Sequence, residues 1–218
     1  MRDAAPRRRR KATRPQELLD AALALFVEKG FAATRTEEVA RGAGVSKGTL
    51  YLYYPSKEEL FKAVVRHNLT RLIAEGLEIV ERFEGSTAEL LRTLVRVWWE
   101  RFGNTPAAGI HKVIMAEVRN FPELAQFYAE EVVAPADRLL WRTVERGIAR
   151  GEFRALPVRE VAQVLMAPLL FLALHRHSFG ACAAGGPEMN PQALLDVHLD
   201  LVLDGLRPRA PVDMGVPR

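Results

Sequence analysis

Apolar residues recur at helical spacing along almost the whole chain, and no pair of segments alternates as paired strands would. The first strongly periodic stretch predicts a helix that begins near Thr13 or Arg14, with Pro15 in its first turn, and ends at Gly30. Its apolar face consists of Leu18, Ala22, Leu25 and Phe26. The pattern as a whole predicts an all-α fold.

Two short helices and one long helix follow. The pattern predicts a second helix over 36–41 and a third that runs from its N-cap, Ser46, to Tyr53. Glycines on both sides of Ala43 allow the sharp turn that must join these two helices. A longer helix is expected over 57–83. Three short helices with tight turns therefore precede a long connecting helix.

Beyond residue 85 the spacing predicts longer helices, over 87–102, 107–119, 122–150, 158–178 and 191–206. Pro135 should kink or divide the third of these, because proline has no N–H to donate within a helix. We expect four regions: a disordered basic arm over 1–12, a three-helix head over 13–58, a larger helical body over 59–206 and a disordered tail over 207–218.

The charge is unevenly distributed between the two ends of the chain. Residues 1–66 hold 14 basic and 8 acidic side chains, a net charge of +6, while residues 67–218 hold 17 basic and 19 acidic side chains, a net charge of −2. A basic module on a mildly acidic body is typical of a protein that binds a polyanion. The run Arg7–Lys11, taken alone, is better explained as a solvated tail that adds non-specific affinity through phosphates.

Composition argues against several other classes of protein. The lone cysteine, Cys182, excludes an internal disulfide framework and a cysteine-based zinc site, which fits a reducing cytoplasm. The basic N-terminus is followed by an amphipathic stretch, so no signal peptide is indicated. The longest apolar run, 161–174, contains Gln163 and is shorter than a membrane span, so a helix buried in protein is expected. No membrane association, metal site or cofactor is predicted.

The most informative segment is residues 34–60, TRTEEVARGAGVSKGTLYLYYPSKEEL. A helix, a glycine-bearing turn and a second helix, with inward apolar positions, are typical of a helix-turn-helix. In such a unit the second helix lies in the major groove of DNA. Here that helix offers hydroxyls, one cation and a glycine that permits close approach, all of which suit phosphates and base edges. The segment therefore predicts binding to double-stranded DNA.

This segment closely resembles the DNA-binding domain of the TetR family, in the run AGVSKGTLYLYYPSKEEL over 43–60 and in LDAALALFVEKGF over 19–31. The resemblance covers roughly residues 14 to 66. It implies that Leu50 and Tyr54 belong to the core of the head and that Lys57 is a phosphate anchor. The DNA-contacting residues that it implies are Thr36, Ser46, Lys47, Gly48, Thr49, Tyr51, Tyr53 and Lys57.

The same resemblance implies that the body forms an effector-binding and dimerisation domain, in a repressor released from a palindromic operator. For the effector site we considered interior candidates whose bulk favours an apolar or aromatic effector: Trp98, Phe102, His111, Met115, Phe127, Trp141, Met166, Phe171 and His175. Ordinary core packing explains any single one of them equally well. Residues two apart on a helix point in different directions, so His175 and His177 are not expected to share a metal ion.

The last two helices are apolar over more than one face, which favours a homodimer built from two helices of each chain. The expected interface anchors are Val161, Leu165, Leu169, Leu172, Leu194, Leu201 and Val202. Two alternatives remain at this point. One is a ligand-independent DNA-binding protein on the same fold, and the other is an enzyme or metal-binding helical protein with a basic arm. No arrangement of residues typical of an active site favours the enzyme.

Overall fold

A computed structural model describes residues 5–178, 180 and 189–209, which are helical with no strand among them. The α-helices are α1 Ala5–Lys29, α2 Thr36–Gly42, α3 Lys47–Tyr53, α4 Lys57–Val65, α5 Arg71–Arg82, α6 Thr87–Trp98, α7 Gly109–Glu117, α8 Pro122–Tyr128, α9 Ala134–Ala149, α10 Val158–His177 and α11 Pro191–Leu206. A 3₁₀ turn, Pro106–Ala108, precedes α7. The all-α prediction is confirmed. Cys182, most of the joint before α11 and the tail from 210 lie outside the described residues.

Short π turns interrupt three of the long predicted helices. They are Arg66–Thr70 between α4 and α5, Trp99–Gly103 after α6, and Ala129–Val133 between α8 and α9. Pro135 lies just after the third π turn and cannot donate to the carbonyl of Glu131. Thr70 Oγ1 donates to that carbonyl instead, with 3.4 Å between the oxygens. The predicted irregularity at Pro135 is therefore present, as a π turn on its N-terminal side.

The first helix begins at Ala5, earlier than the expected start near Thr13. Pro15 consequently lies inside α1 instead of in its first turn, at the expense of one backbone hydrogen bond. Arginine, lysine and alanine are good helix formers, so the basic run can continue the helix despite Pro15. The regions expected from the sequence, with a basic arm over 1–12, remain a prediction.

The head follows the predicted turn chemistry closely. Gly30 ends α1 with φ of +84°, and its N–H donates to the carbonyl of Phe26 at 2.9 Å. Ser46 caps α3, since its Oγ accepts from the N–H of Thr49 at 3.1 Å. Ser56 caps α4 in the same way. Side-chain caps satisfy N–H groups that the first turn of a helix leaves free, so the sequence locates these helix starts well.

Two large hydrophobic clusters hold the described residues together. The first runs from α1 through α4 into α7 and α8, so the head and the body share one continuous core. At its centre the rings of Phe26, Phe31 and Phe61 lie 5.2–5.7 Å apart. The second cluster joins α6, α9, α10 and α11. The head and the body are therefore packed together at α4 instead of being joined by a bare linker.

Helix α10 is long and apolar enough to cross a membrane by length and composition alone. It packs within the chain, where Leu165, Leu169 and Leu172 are buried in the second core. Core helices of globular proteins pass the same test of length and hydropathy, so this helix does not by itself indicate a membrane.

Candidate DNA-binding site and effector domain

Helix α3 has one buried face and one exposed face. Leu50 is fully buried in the first core. Lys47, Gly48, Tyr51 and Leu52 are exposed, at positions that share the opposite face of the helix. A short, well-capped helix with one face free is the arrangement that a recognition helix needs to enter the major groove.

Polar contacts between side chains organise the exposed face of α3. Lys47 pairs with Glu37 of α2, and its ammonium lies over the ring of Tyr51, 5.7 Å from the centroid. The hydrogen bond that Lys47 donates to the carboxylate of Glu37 raises the pKa of Lys47, and the same contact lowers the pKa of Glu37. The hydroxyls of Thr36 and Tyr51 lie 3.0 Å apart, which joins the start of α2 to α3. Three of the predicted DNA-binding residues thus form one network, in which Lys47 and Tyr51 are exposed and Thr36 is buried.

The remaining predicted contacts on α3 have structural partners as well. Ser46 Oγ and Thr49 Oγ1 lie 2.9 Å apart at the exposed N-terminus of the helix. Tyr53 and Tyr54 both pack against the first core. Burial raises the pKa of Tyr54, whose hydroxyl lies 3.5 Å from the carbonyl oxygen of Pro15. The structural role expected of Tyr54 fits this position, while Tyr53 is half-buried beside the exposed face.

Lys57, expected as a phosphate anchor, is bound within the head. Its ammonium donates to the carbonyls of Phe31, Ala32 and Thr34 at 2.9, 3.1 and 3.2 Å. It also lies 4.6 Å from the centre of the Phe31 ring. An ammonium has three N–H donors, so these carbonyls occupy all of them. In this conformation Lys57 supports the turn between α1 and α2.

Sequence reasoning missed Leu52, which is 85% exposed on the recognition face, beside Tyr51 at 39%. An exposed leucine can contact the methyl groups of thymines in the major groove. Helical spacing from the buried Leu50 was the signal that could have identified it, because a position two residues away lies on a different face.

Side chains of α8 and of the π turn after it contact α4 and the π turn that follows α4, close to the head. Arg66 forms two hydrogen bonds with Glu131, with Nε–Oε2 2.8 Å and Nη2–Oε1 2.6 Å, and this pair lowers the pKa of Glu131. The guanidinium of Arg66 and the ammonium of Lys62 lie over the ring of Phe127, at 5.0 and 5.7 Å. Phe127, predicted for the effector site, therefore lies at the contact between α4 and α8.

Four of the predicted effector-site residues lie in or against the first core: Trp98, which also packs on the second core, Phe102, His111 and Phe127. The ring of Phe102 lies 5.9 Å from that of Trp98 and 5.2 Å from that of His111. Tyr128, which sequence reasoning missed, brings its hydroxyl within 2.6 Å of His111 Nδ1. Burial lowers the pKa of His111 to about 4 and raises the pKa of Tyr128. This neutral pair is the polar part of an otherwise apolar, aromatic interior.

The other five candidates are not gathered with these four. Met115 and Phe171 are 58% and 48% exposed, so their prediction as interior residues is wrong. The buried face of α7 is set by Ile110, Val113 and Ile114, which turns Met115 outward; Phe171 likewise lies opposite the buried leucines of α10. Among the rest, Trp141 lies under the guanidinium of Arg159, Met166 packs on the second core and His175 lies beside Phe171.

The expected dimer anchors divide into three groups by burial. Leu165, Leu169 and Leu172 are buried inside the chain, so their prediction as interface anchors is wrong. They pack against leucines of α11 because α10 has two apolar faces and uses one of them internally. Leu201, by contrast, is 70% exposed. The other expected anchors, Val161, Leu194 and Val202, are partly buried on the second core. The exposed apolar face of the two helices, which we name the α10–α11 face, consists of Val164, Phe171, Val197 and Leu201.

Within the described ranges, no group of three or more histidine, cysteine, aspartate or glutamate side chains is placed to hold a metal ion.

Comparison with known proteins relates both regions to one family. Residues 18–64 match the family model for bacterial regulatory proteins of the tetR family, and residues 84–180 match that for the tetracyclin repressor-like C-terminal domain. The chain is 28% identical to the transcriptional repressor KstR2 of Rhodococcus jostii, over 90% of this chain and 92% of that protein. It is 33% identical to KstR2 of Mycobacterium tuberculosis, over 65% of this chain and 70% of that protein.

Solved structures agree with these matches. The ketosteroid transcriptional regulator KstR2 of Mycobacterium tuberculosis has a TM-score of 0.67 and 25% identity, covering 90% of this chain and 96% of that one. The regulator FadR of Bacillus subtilis, solved in complex with stearoyl-CoA, has a TM-score of 0.69 and 20% identity, covering 88% of this chain and 99% of that one. The recognition helix, the helical body and these matches together identify the chain as a member of the TetR family of bacterial transcriptional regulators.

Proposed function

We propose that this regulator is a repressor that binds a palindromic operator as a homodimer and is released by a small, mainly apolar effector. The observation that carries the proposal is the exposed face of α3, where Lys47, Gly48, Tyr51 and Leu52 are accessible to solvent while Leu50 anchors the helix. Lys57 supports the turn between α1 and α2 within the head. Its site of action would be the cytoplasm, where operator DNA is accessible.

The homodimer rests on the α10–α11 face. Four large apolar side chains stay exposed there, while the leucines on the buried sides of both helices pack in the second core. One recognition helix buries little DNA surface, and two of them about 34–36 Å apart would read successive major grooves on one side of the duplex. A symmetric pair of chains therefore accounts both for the exposed face and for the small size of the head.

The apolar character of the effector is supported by the aromatic interior around Trp98, Phe102 and Phe127, and by the names of two relatives. One is described as a ketosteroid regulator and the other was solved with stearoyl-CoA. Ketosteroids and stearoyl-CoA both have a large hydrocarbon part. The His111–Tyr128 pair would provide hydrogen bonds to a carbonyl or hydroxyl of such a molecule.

Release would be a population shift between two dimer geometries. Binding among α6, α7 and α8 would change the tilt of α4, which the body holds through Arg66 and Glu131. Because the first core is continuous from α8 to α1, that tilt would alter the spacing of the recognition helices.

Selection of operators from genomic DNA by the purified protein tests the proposal directly. We expect the wild type to enrich a palindrome that the Lys47→Ala, Tyr51→Ala double variant loses. Salt-sensitive binding with no enriched sequence would overturn specific repression. Adding stearoyl-CoA or a ketosteroid to the recovered complex tests release, and operator affinity unchanged by every effector tried would favour the alternative of a ligand-independent DNA-binding protein.

A further inference from the structure

A polar cavity of about 250 Å³ lies between the start of α5, with the π turn before it, and the π turn that follows α6. Two of the three π turns contribute to it, since His67 and Asn68 belong to Arg66–Thr70 and Arg101 belongs to Trp99–Gly103. π turns inside α-helices are frequent at functional sites. Its lining consists of His67, Asn68, Arg71, Leu72, Glu75 and Arg101.

One carboxylate holds two guanidiniums at this cavity. Arg71 Nε donates to Glu75 Oε1 at 3.2 Å, and Arg101 Nη1 donates to Glu75 Oε2. Each guanidinium has five N–H donors, and neither has another acceptor among the described residues. The cluster therefore has a net positive charge and unused donors, which suit the oxygens of a phosphate or carboxylate.

The volume limits what the cavity can hold. Sites that enclose whole drug-sized ligands are roughly 300–1,000 Å³, so a cavity of about 250 Å³ fits one end of such a molecule. Leu72 lines the cavity and also packs against the first core, which contains Phe102, the neighbour of Arg101. The charged lining of the cavity therefore lies next to the apolar interior that is proposed to bind the effector.

We propose that this cavity, the arginine cavity, binds an anionic group, and that this group is the charged end of the effector. The second half of the inference rests on the proposed function, while the first half concerns the cavity alone. Arg71 and Arg101 bind the anion. The carboxylate of Glu75 competes with the anion for the two guanidiniums and keeps them in place in its absence.

The role of Glu75 distinguishes an anion site from an ordinary surface ion pair. If the three side chains only brace α5 against α6, Glu75→Gln removes a stabilising contact and has no reason to create affinity for anions. If they form an anion site, the same change frees two guanidiniums and increases that affinity. The sign of the effect therefore decides between the two roles.

Calorimetric titration of the full chain with inorganic pyrophosphate, and separately with acetate, tests the cavity at low ionic strength, where exposed charges are least screened. We expect pyrophosphate to bind the wild type, to bind Arg71→Ala, Arg101→Ala at least about tenfold more weakly, and to bind Glu75→Gln several-fold more tightly. The control is Arg142→Ala, which removes a comparable exposed pair with Glu81 between α9 and α5. Preference for pyrophosphate over acetate would identify the group as a phosphate, and the reverse as a carboxylate.

Equal affinity in the wild type and the double arginine variant, or weaker binding in Glu75→Gln, would overturn the anion site. Operator release by stearoyl-CoA is then compared between the wild type and the double variant. Release that is equal in both would overturn the assignment to the effector. Absence of release from the wild type, with pyrophosphate binding intact, would instead contradict the proposed effector response and leave the anion site supported.

Discussion

The carboxylate of Glu117, at the end of α7, accepts a hydrogen bond from the backbone N–H of Ala32, with 3.0 Å between Oε1 and the nitrogen. Ala32 lies in the turn between α1 and α2, and the same turn receives the ammonium of Lys57 on its carbonyls. Lys112, also on α7, donates to the carbonyl of Val27 at 3.0 Å. The body therefore holds the head at the turn that sets the position of α2.

Replacing Glu117 by alanine is expected to weaken operator binding, although Glu117 is not one of the residues expected to contact DNA. Glu117 is buried, so the change leaves the Ala32 N–H without its acceptor and costs about 1–3 kcal/mol in the free energy of unfolding. The looser turn should also lower operator affinity more than global unfolding explains. Glu117→Gln keeps an acceptor oxygen and should recover most of both losses. Chemical denaturation and operator titration of the three proteins provide the measurement, and unchanged affinity in a folded Glu117→Ala protein would contradict the role.

Leu52 is expected to contribute to operator recognition and not to stability. Because it is 85% exposed, Leu52→Ala should change the free energy of unfolding by less than about 0.5 kcal/mol. The lost contacts with base methyls should lower specific operator affinity about tenfold. The matched variant is Leu50→Ala, two residues earlier and fully buried, which should cost about 2–5 kcal/mol of stability. Full operator affinity in Leu52→Ala would show that this side chain stays outside the interface.

Charges on the α10–α11 face are expected to separate the dimer. Val197 and Leu201 lie one turn apart on α11, so Val197→Glu, Leu201→Glu places two carboxylates where an apolar partner surface is proposed. Sedimentation velocity should then show monomers that keep their helical circular dichroism. Met115→Glu is the control, because Met115 is also exposed but lies on α7. A charged variant that sediments as the wild type does would exclude this face as the interface.

Acid is expected to destabilise the protein through His111. Burial holds its pKa near 4, against 6.5 when unfolded, so the unfolded state binds a proton first as the pH falls. The contribution of neutral His111 to the free energy of unfolding is fully present above about pH 6.5. It is lost as the pH falls toward 4, by about 3 kcal/mol in total. His111→Leu, Tyr128→Phe removes both polar groups and should flatten this part of the pH profile of unfolding. An equally steep profile in that double variant would assign the acid sensitivity to other groups.

Much of the head could be predicted because its signals are local. Ser46 and Ser56 cap helices within three residues of themselves, and Gly30 and Gly44 supply the positive φ that their turns require. The predicted start of α1 is wrong, because the helix-forming residues before Pro15 extend the helix to Ala5. The assignment of DNA contacts remains a prediction, although the structure joins the exposed Lys47 and Tyr51 to the buried Thr36 in one network.

The sequence by itself determined the all-α class, the order of the helices and the family, because periodicity, caps and turn residues act over a few positions. Tertiary structure decided which face of each helix is buried, and so placed Leu165 inside the chain and Phe171 outside it. It also decided the pairs Glu117–Ala32 and His111–Tyr128, whose members lie 85 and 17 residues apart. The rotation of one helix against another depends on the packing of the whole core, which no local pattern encodes.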